Sequence, residues 1–208
     1  MSIQDGRQGY LTRILPRVGH PTNVVDLGLI RALNERCLDL LVQLAVSEHA
    51  SVPTAISSNR DLWRVFDASV RERAARHPVL LMDINFADSA WWRCVADGRL
   101  VEERSSVTGS LPFGMAGELM RETVTLAWII ARADEGLATI LCGMAPPVAR
   151  IFSSFSSPDV ERLSARHHGH LRLRFDDHPS YWRMYLKIAG CKSSTASLSL
   201  DTFVESCQ

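Results

Sequence analysis

The chain has 208 residues, and its 23 Lys and Arg side chains balance 23 Asp and Glu side chains. This balance excludes a polybasic coating protein and an acidic-tail protein, although a local basic patch remains open. The 46% hydrophobic and 22% charged fractions are those of a globular protein with one large or two small domains. No run of about 18 apolar residues predicts a membrane span, and residues 1–10 lack the apolar core of a secretory signal, so we expect a cytoplasmic protein.

The first half of the chain predicts helices around one short extended segment. Apolar residues at helical spacing predict a helix over residues 22–47 and a second helical region over residues 58–76. Residues 79–86 form a short apolar run that is typical of a buried strand. A short helix is expected over residues 91–95.

A segment rich in Ser, Gly and Pro, residues 103–117, predicts a linker. The predicted organisation has four parts. They are a first helical half over residues 1–102, the linker over 103–117, a second helical domain over 118–190 and a tail over 191–208.

The second half repeats the order of elements in the first. Residues 117–141 predict one long helix, apolar on all sides over residues 124–131, as in helices buried in a core or between subunits. A capped helix is expected over residues 157–167, because Ser, Pro and Asp open it. Residues 170–175 alternate apolar and basic side chains, which predicts a half-exposed strand. The last helix is expected over residues 177–190.

An offset of 90 residues aligns the two halves. It brings identical residues together, with Leu29 on Leu119, Arg60 on Arg150, Ala75-Arg76-His77 on Ala165-Arg166-His167, and Trp92-Arg93 on Trp182-Arg183. The matching order of elements indicates a tandem duplication. The predicted fold is therefore mainly α, with two tandem helical halves that each contain a short β-like segment between helices.

A further pattern runs from residue 126 to residue 185, about 60 of the 208 residues. It consists of Leu126-Ala127, Asp134, Ala138, Gly143, Ala149, Phe152, Phe155, Pro158, Val160, Leu163 and Arg174-Phe175-Asp176-x-His178. This pattern resembles FlhD, a subunit of the bacterial flagellar master transcription regulator. The first half is then a diverged second FlhD-like copy.

The resemblance implies an all-α, oligomeric subunit that dimerises through its N-terminal helices. It implies a partner subunit similar to FlhC, which contacts DNA, and a complex that binds promoter DNA and activates transcription of flagellar or related genes. The segments 157–167, 170–175 and 177–189 would correspond to a helix-turn-helix variant.

Basic side chains of the second half form the candidate DNA contact. Residues 150–187 carry seven basic and four acidic side chains. Pairs on one helix face or one strand face could follow a phosphate backbone. We expect the phosphate contacts to be Arg162, Arg166, Arg172, Arg174, Arg183 and Lys187. The alternative is a solvated face on which nearby Asp and Glu side chains pair with these cations.

Two unusually apolar helical segments form the candidate oligomer interface. Its residues are Leu40, Leu41, Leu44, Val124, Leu126, Trp128, Ile129 and Ile130. These helices could instead pair with each other inside the chain. The alternative function from the same residues is an adaptor or anti-regulator that binds no DNA and captures a partner through its apolar helices.

Catalytic, metal and cofactor sites find no support in the sequence. Phosphate-loop, dinucleotide-binding and hydrolase motifs are absent, so we expect no enzyme and no cofactor. The motif His167-His168-x-His170 predicts no metal site, because adjacent histidines at a helix end point in different directions. The five cysteines lack zinc spacing. The pairs Trp91-Trp92 and Tyr181-Trp182 could stack on bases, but aromatic pairs at such positions more often fill a core.

Overall fold

The computed structural model describes residues 26–47, 52–99, 111 and 113–191. This part of the chain is mainly helical, as predicted. The helices and strands are α1 Leu27–Val46, α2 Thr54–Ser57, α3 Arg60–Trp63, α4 Ala68–Ala75, β1 Met82–Asp83, α5 Ser89–Ala96, α6 Phe113–Ala133, α7 Glu135–Cys142, α8 Pro146–Ser154, α9 Ser157–Arg166, a 3₁₀ turn His168–His170, β2 Arg172–Leu173 and α10 Pro179–Gly190.

Aspartate side chains set the starts of four helices. Each carboxylate accepts a hydrogen bond from a backbone N–H of the first turn, which would otherwise lack a partner. The capping residues are Asp26 before α1, Asp67 before α4, Asp88 before α5 and Asp134 before α7. The single helix predicted over residues 117–141 is therefore wrong, because Asp134 leaves helical geometry and starts a new helix.

The other differences from the predicted elements also have local causes. The region 58–76 is interrupted because Asp67 caps a new helix after the buried Phe66. The predicted strands are far shorter than expected, since left-handed residues follow them, Asn85 with a φ of 51° and Phe175 with a φ of 61°. The linker predicted to end at residue 117 ends earlier, because α6 begins at Phe113. Residues 1–25, 48–51, 100–110, 112 and 192–208, which include most of the predicted linker and tail, lie outside the described part.

One hydrophobic core contains side chains from both halves of the chain. The long helices α1 and α6 pack against each other, and α4 and α9 pack on them from the two halves. Three fully buried tryptophans fill the regions between the helices, namely Trp63, Trp92 and Trp182. Burial of these large rings supplies much of the hydrophobic stabilisation.

The two short strands pair antiparallel, with Met82 opposite Leu173 and Asp83 opposite Arg172. At the offset of 90 residues, Met82 corresponds to Arg172 and Asp83 to Leu173. Exchanging the two halves therefore converts each of these pairs into the other. This register is the one that a two-fold relation between the halves produces.

The turn after each strand shows the same correspondence. Asn85 and Phe175, which are 90 residues apart, both have a positive φ. The indole Nε1 of Trp92 donates to the carbonyl of Ile84 at 3.2 Å, and that of Trp182 donates to the carbonyl of Arg174 at 3.1 Å. These matched features support the repeat, whose origin by duplication stays a prediction.

Helices α7 and α8 meet in a sharp bend of 118°. Gly143 ends α7 with a φ of 72°, a conformation that glycine adopts without steric cost, and Pro146 opens α8. No single helix in the described ranges is long and apolar enough to cross a membrane, although this bent pair satisfies the length and composition together. The bend brings the end of α7 next to Arg174.

Candidate nucleic-acid interface

Arg172 forms an ion pair across the two strands, and 36% of its side chain remains exposed. Its Nε and Nη2 atoms lie 2.7 and 2.6 Å from Oδ2 of Asp83, the residue opposite it in the strand pair. Asp83 is buried, and its Oδ1 accepts a hydrogen bond from the backbone N–H of Phe86 at 2.9 Å. Because a charge-assisted pair of this kind orients both side chains, Arg172 connects the two strands and its charge already has a partner within the fold.

Arg174 also faces the protein. Its Nη1 donates to the carbonyl of Leu141 at 3.3 Å, and its guanidinium lies 4.9 Å from the ring centre of Phe175. Burial lowers the pKa of Arg174, and the charge of Asp83 partly opposes this effect. The predicted strand face shared by Arg172 and Arg174 is wrong, because β2 ends at Leu173 and Arg174 lies in the following turn.

The two arginines of α9 differ in their surroundings. Arg162 forms an ion pair with Asp159 one turn earlier. The pKa of Asp159 is lowered, mainly by hydrogen bonds from the Ser156 side chain and backbone. Arg166 is exposed, and no ion pair joins it to another described residue. Of the four arginines predicted to follow the phosphates from this helix and strand, Arg166 alone has an exposed side chain without an ion pair in the described ranges.

Arg183 and Lys187 lie one turn apart on the exposed side of α10. Helix α3 packs against α10, and two further exposed cations lie in α3 and directly after it, Arg60 and Arg64. Asp61, which follows Arg60 in sequence, reaches across to α10, with its Oδ2 3.7 Å from Nη2 of Arg183. We name Arg60, Arg64, Arg183 and Lys187 the α3–α10 basic surface.

The weak Arg183–Asp61 contact leaves this surface cationic. Its two side chains are 48% and 63% exposed, and ion pairs with such exposure contribute little. Sequence reasoning missed Arg60 and Arg64. Their spacing of four residues places them on one helix face, but no local signal shows that this helix packs against α10.

The predicted oligomer interface is largely buried within the single chain. Leu40, Leu41, Leu44, Val124, Leu126 and Ile130 all belong to the core. Trp128 and Ile129 are half-buried, and the Trp128 indole donates to the carbonyl of Phe155 at 2.9 Å. This placement fits the alternative in which the apolar helices pair inside the chain.

Histidines and aromatic residues gather where α5 meets the end of α9. The ring of Trp91 lies 5.3 Å from that of His167 and 5.0 Å from that of His170. Among the described residues, no group of three or more His, Cys, Asp or Glu side chains could hold a metal ion. Trp92 and Trp182 are fully buried, and Trp91 and Tyr181 are nearly so, which places all four in the core.

An open groove separates the outer sides of α1 and α6. Its lining includes Arg36, Asp39, Gln43 and Glu118. Arg36 forms ion pairs with Glu118 and Glu122, and Asp39 forms one with Arg71. These charges therefore already have partners within the fold, and the groove has no buried reactive group in its lining.

Comparison with known proteins gives no relative from which a role could be transferred. No protein-family model, no curated protein and no solved structure matches this chain. The candidate interface therefore rests on the side chains described above.

Proposed function

We propose that this chain is a non-catalytic, FlhD-like subunit of a transcription activator. It contacts DNA phosphates through the α3–α10 basic surface and works together with an FlhC-like partner subunit. The observation that carries the proposal is that four exposed cations lie on or directly after the packed helices α3 and α10, and that among the described residues the only ion pair of these cations is the weak Arg183–Asp61 contact.

The charge geometry favours contact with phosphates over contact with bases. Arginine and lysine side chains that are not held by acids can orient towards phosphate oxygens and displace condensed counterions. Lys187 lies in the last turn of α10 and is exposed, whereas Trp182 and Leu186 of the same helix are buried. Four phosphate contacts correspond to a salt-dependence slope of only about −3.6, so in this proposal the partner subunit supplies further contacts.

The test is a DNA-shift assay with the full chain, alone and with a co-expressed FlhC-like subunit, over a range of salt concentrations. The variant R183Q/K187Q removes two charges of the α3–α10 basic surface. Loss of two phosphate contacts should reduce the salt slope by about 1.8 and weaken binding at every DNA sequence. A shift that is absent, or insensitive to salt, in both preparations contradicts the proposal.

The matched control is R31Q/R76Q. Arg31 and Arg76 are exposed and both form ion pairs with Glu72, at 2.8 and 3.2 Å. This variant changes the net charge of the chain by the same amount but leaves the α3–α10 basic surface intact. Equal losses in the two variants would show that binding depends on overall charge and not on this surface.

A second candidate function, the adaptor or anti-regulator, is favoured by one observation. Trp128 and Ile129 leave part of their side chains accessible on α6, although Ile130 beside them is fully buried. A partner that docks there should be lost in Ile129→Glu, measured by co-purification. Under this function, R183Q/K187Q keeps full activity, so the two variants separate the candidates.

A further inference from the structure

We infer that one copy of this chain holds a DNA duplex at two equivalent places, the second formed by Arg93 on α5 and Arg150 on α8. The inference rests on the proposed function and extends it, because it specifies the geometry of the target. The second place is the counterpart of the pair Arg183 and Arg60 in the α3–α10 basic surface.

The equivalence begins with sequence position. Arg93 and Arg183 are 90 residues apart, and so are Arg60 and Arg150. All four side chains are exposed. None of these four arginines belongs to the hydrophobic core. Packing of the core therefore does not require arginine at the two equivalent positions of each half.

The structure then gives the two places the same support. Arg93 and Arg183 each follow a fully buried tryptophan, Trp92 or Trp182, whose indole is fixed by the carbonyl of the preceding turn. Each tryptophan helix follows its own strand through a left-handed residue. In both places, the buried tryptophan before the arginine therefore fixes the side of the helix from which the arginine extends.

The second arginine of each pair lies on a helix held against the first by aromatic rings. Trp92 of α5 contacts Phe152 of α8, with ring centres 4.6 Å apart. Trp182 of α10 contacts Trp63 of α3, with ring centres 6.2 Å apart. Arg150 precedes Phe152 by two residues and Arg60 precedes Trp63 by three, so each is carried on the helix that its aromatic contact positions.

The second place has fewer basic side chains than the first, but it lacks an acidic residue at the position of Asp61. Arg93 donates its Nε to the carbonyl of Ser89 at 3.1 Å, within its own helix. No ion pair joins Arg93 or Arg150 to a described acidic residue, and Ile151 stands at the position that Asp61 occupies in the other half. Asp97 replaces Lys187 and lies 3.4 Å from Arg99.

A duplex is the ligand that fits two such places. Its two strands run antiparallel, so its phosphates are related by local two-fold axes, and proteins with two-fold symmetry exploit this relation. The register of β1 against β2 is that of a two-fold relation between the halves. Two arginine pairs related in the same way can each contact one strand, whereas a single-stranded ligand offers no such relation.

The experiment compares three neutralised pairs in the full chain with its partner subunit: R60Q/R183Q, R93Q/R150Q and the control R31Q/R76Q. The probe is one labelled duplex of about 40 base pairs, selected from a random pool for binding at a single register, and it spans about four helical turns. Binding is measured against salt, and backbone protection is measured by hydroxyl-radical footprinting. Thermal unfolding of each variant identifies any loss of folding.

We expect each of the first two pairs to lower the salt slope by about 1.8, and each to lose a different protected backbone segment. The control should keep the slope and both segments. If R93Q/R150Q behaves as the control while R60Q/R183Q weakens binding, the two-place inference is wrong and the proposed function stands. If R60Q/R183Q has no effect, the proposed surface is wrong, and the inference falls with it.

Discussion

The carboxylate of Asp176 accepts a hydrogen bond from the backbone N–H of Ala55 at 2.7 Å, across 121 residues of sequence. The same carboxylate accepts a second hydrogen bond, from the backbone N–H of Thr54 at 3.1 Å. Asp176 is 3% exposed, so these two hydrogen bonds cap the N-terminus of α2 in the protein interior. Asp176 belongs to the Arg174-Phe175-Asp176-x-His178 segment, and its contacts give this segment a role in joining the two halves.

Asp176→Ala should therefore lower the free energy of unfolding by about 3 kcal/mol. The substitution leaves two backbone N–H groups without an acceptor, at least one of them buried. Asp176→Asn should lose less, because its remaining oxygen still accepts one bond. The measurement is urea denaturation, with Asp177→Ala as the exposed control, for which about 0.5 kcal/mol or less is expected. Equal losses at the two positions would contradict the role of Asp176.

Asn34 is the buried polar residue that positions the approach to β1. Its Nδ2 donates to the carbonyls of His77 and Val79, at 3.2 and 2.9 Å, and its Oδ1 accepts from the N–H of Leu81 at 3.0 Å. Asn34→Leu should lower the free energy of unfolding by about 4 kcal/mol, because these buried backbone groups lose their partner. Hydrogen exchange at the Leu81 amide should accelerate. An unchanged exchange rate would show that the amide is protected by other means.

Gly143 lies in a left-handed turn where an added side chain would meet Arg174. Its φ is 72°, and a Cβ atom there would overlap the guanidinium of Arg174. Gly98 has a φ of 70° with nothing within 4 Å of such a Cβ, so it provides a matched control. Gly98→Ala should cost about 1 kcal/mol for the left-handed backbone alone. In thermal unfolding, Gly143→Ala should lower the stability clearly more than Gly98→Ala does. The additional substitution Arg174→Ala should reduce this excess loss, because it removes the guanidinium that the new Cβ atom would overlap.

Arg172 and Asp83 should show strong energetic coupling. A double-mutant cycle with Arg172→Met and Asp83→Asn should give a coupling energy of about 2 kcal/mol, because the pair is charge-assisted and partly buried. The exposed pair Arg183 and Asp61 should give less than about 0.5 kcal/mol in the same experiment. Charge reversal at Arg172 and Arg174 would thus disturb the fold, and it cannot serve as a test of DNA contact. Absence of coupling would show that the pair is not maintained in solution.

His77 should make stability depend on pH in the weakly acidic range. Burial lowers its pKa below the ordinary value of 6.5, and the charge of Arg174 acts in the same direction. The unfolded chain then binds a proton that the folded chain does not, so stability is complete above pH 6.5 and decreases as the pH falls towards the folded pKa. Denaturation of His77→Gln at several pH values should give a flatter dependence there. Carboxylates with lowered pKa values, such as Asp67, act only at lower pH.

Several elements could be predicted from the sequence because their signals are local. Apolar spacing located α1, and the Ser, Pro and Asp at residues 157–159 located α9, with the cap one residue earlier than predicted, at Ser156. The end of helix α6 before Asp134 was not predicted, because an aspartate within an apolar segment is equally compatible with a solvent-facing position inside one continuous helix. The predicted strands were too long, because the sequence does not reveal the left-handed turns at Asn85 and Phe175.

The candidate site depended more strongly on the tertiary structure. Local spacing predicted that Arg172 and Arg174 share one strand face, but their partners Asp83 and Leu141 lie far away in sequence, so these contacts could not be predicted from it. Arg60 joins Arg183 for the same reason, through the packing of α3 on α10.

The neutral composition and the helical periodicity determined by themselves that this is a mainly α protein in which any basic patch is local. The tertiary structure alone decided which cations form that patch, because whether an arginine stays solvated or is held by an acid depends on residues that approach it through space. The zero net charge therefore conceals two kinds of arginine, those with partners within the fold, such as Arg172, and those that remain exposed without an ion pair in the described ranges, such as Arg166.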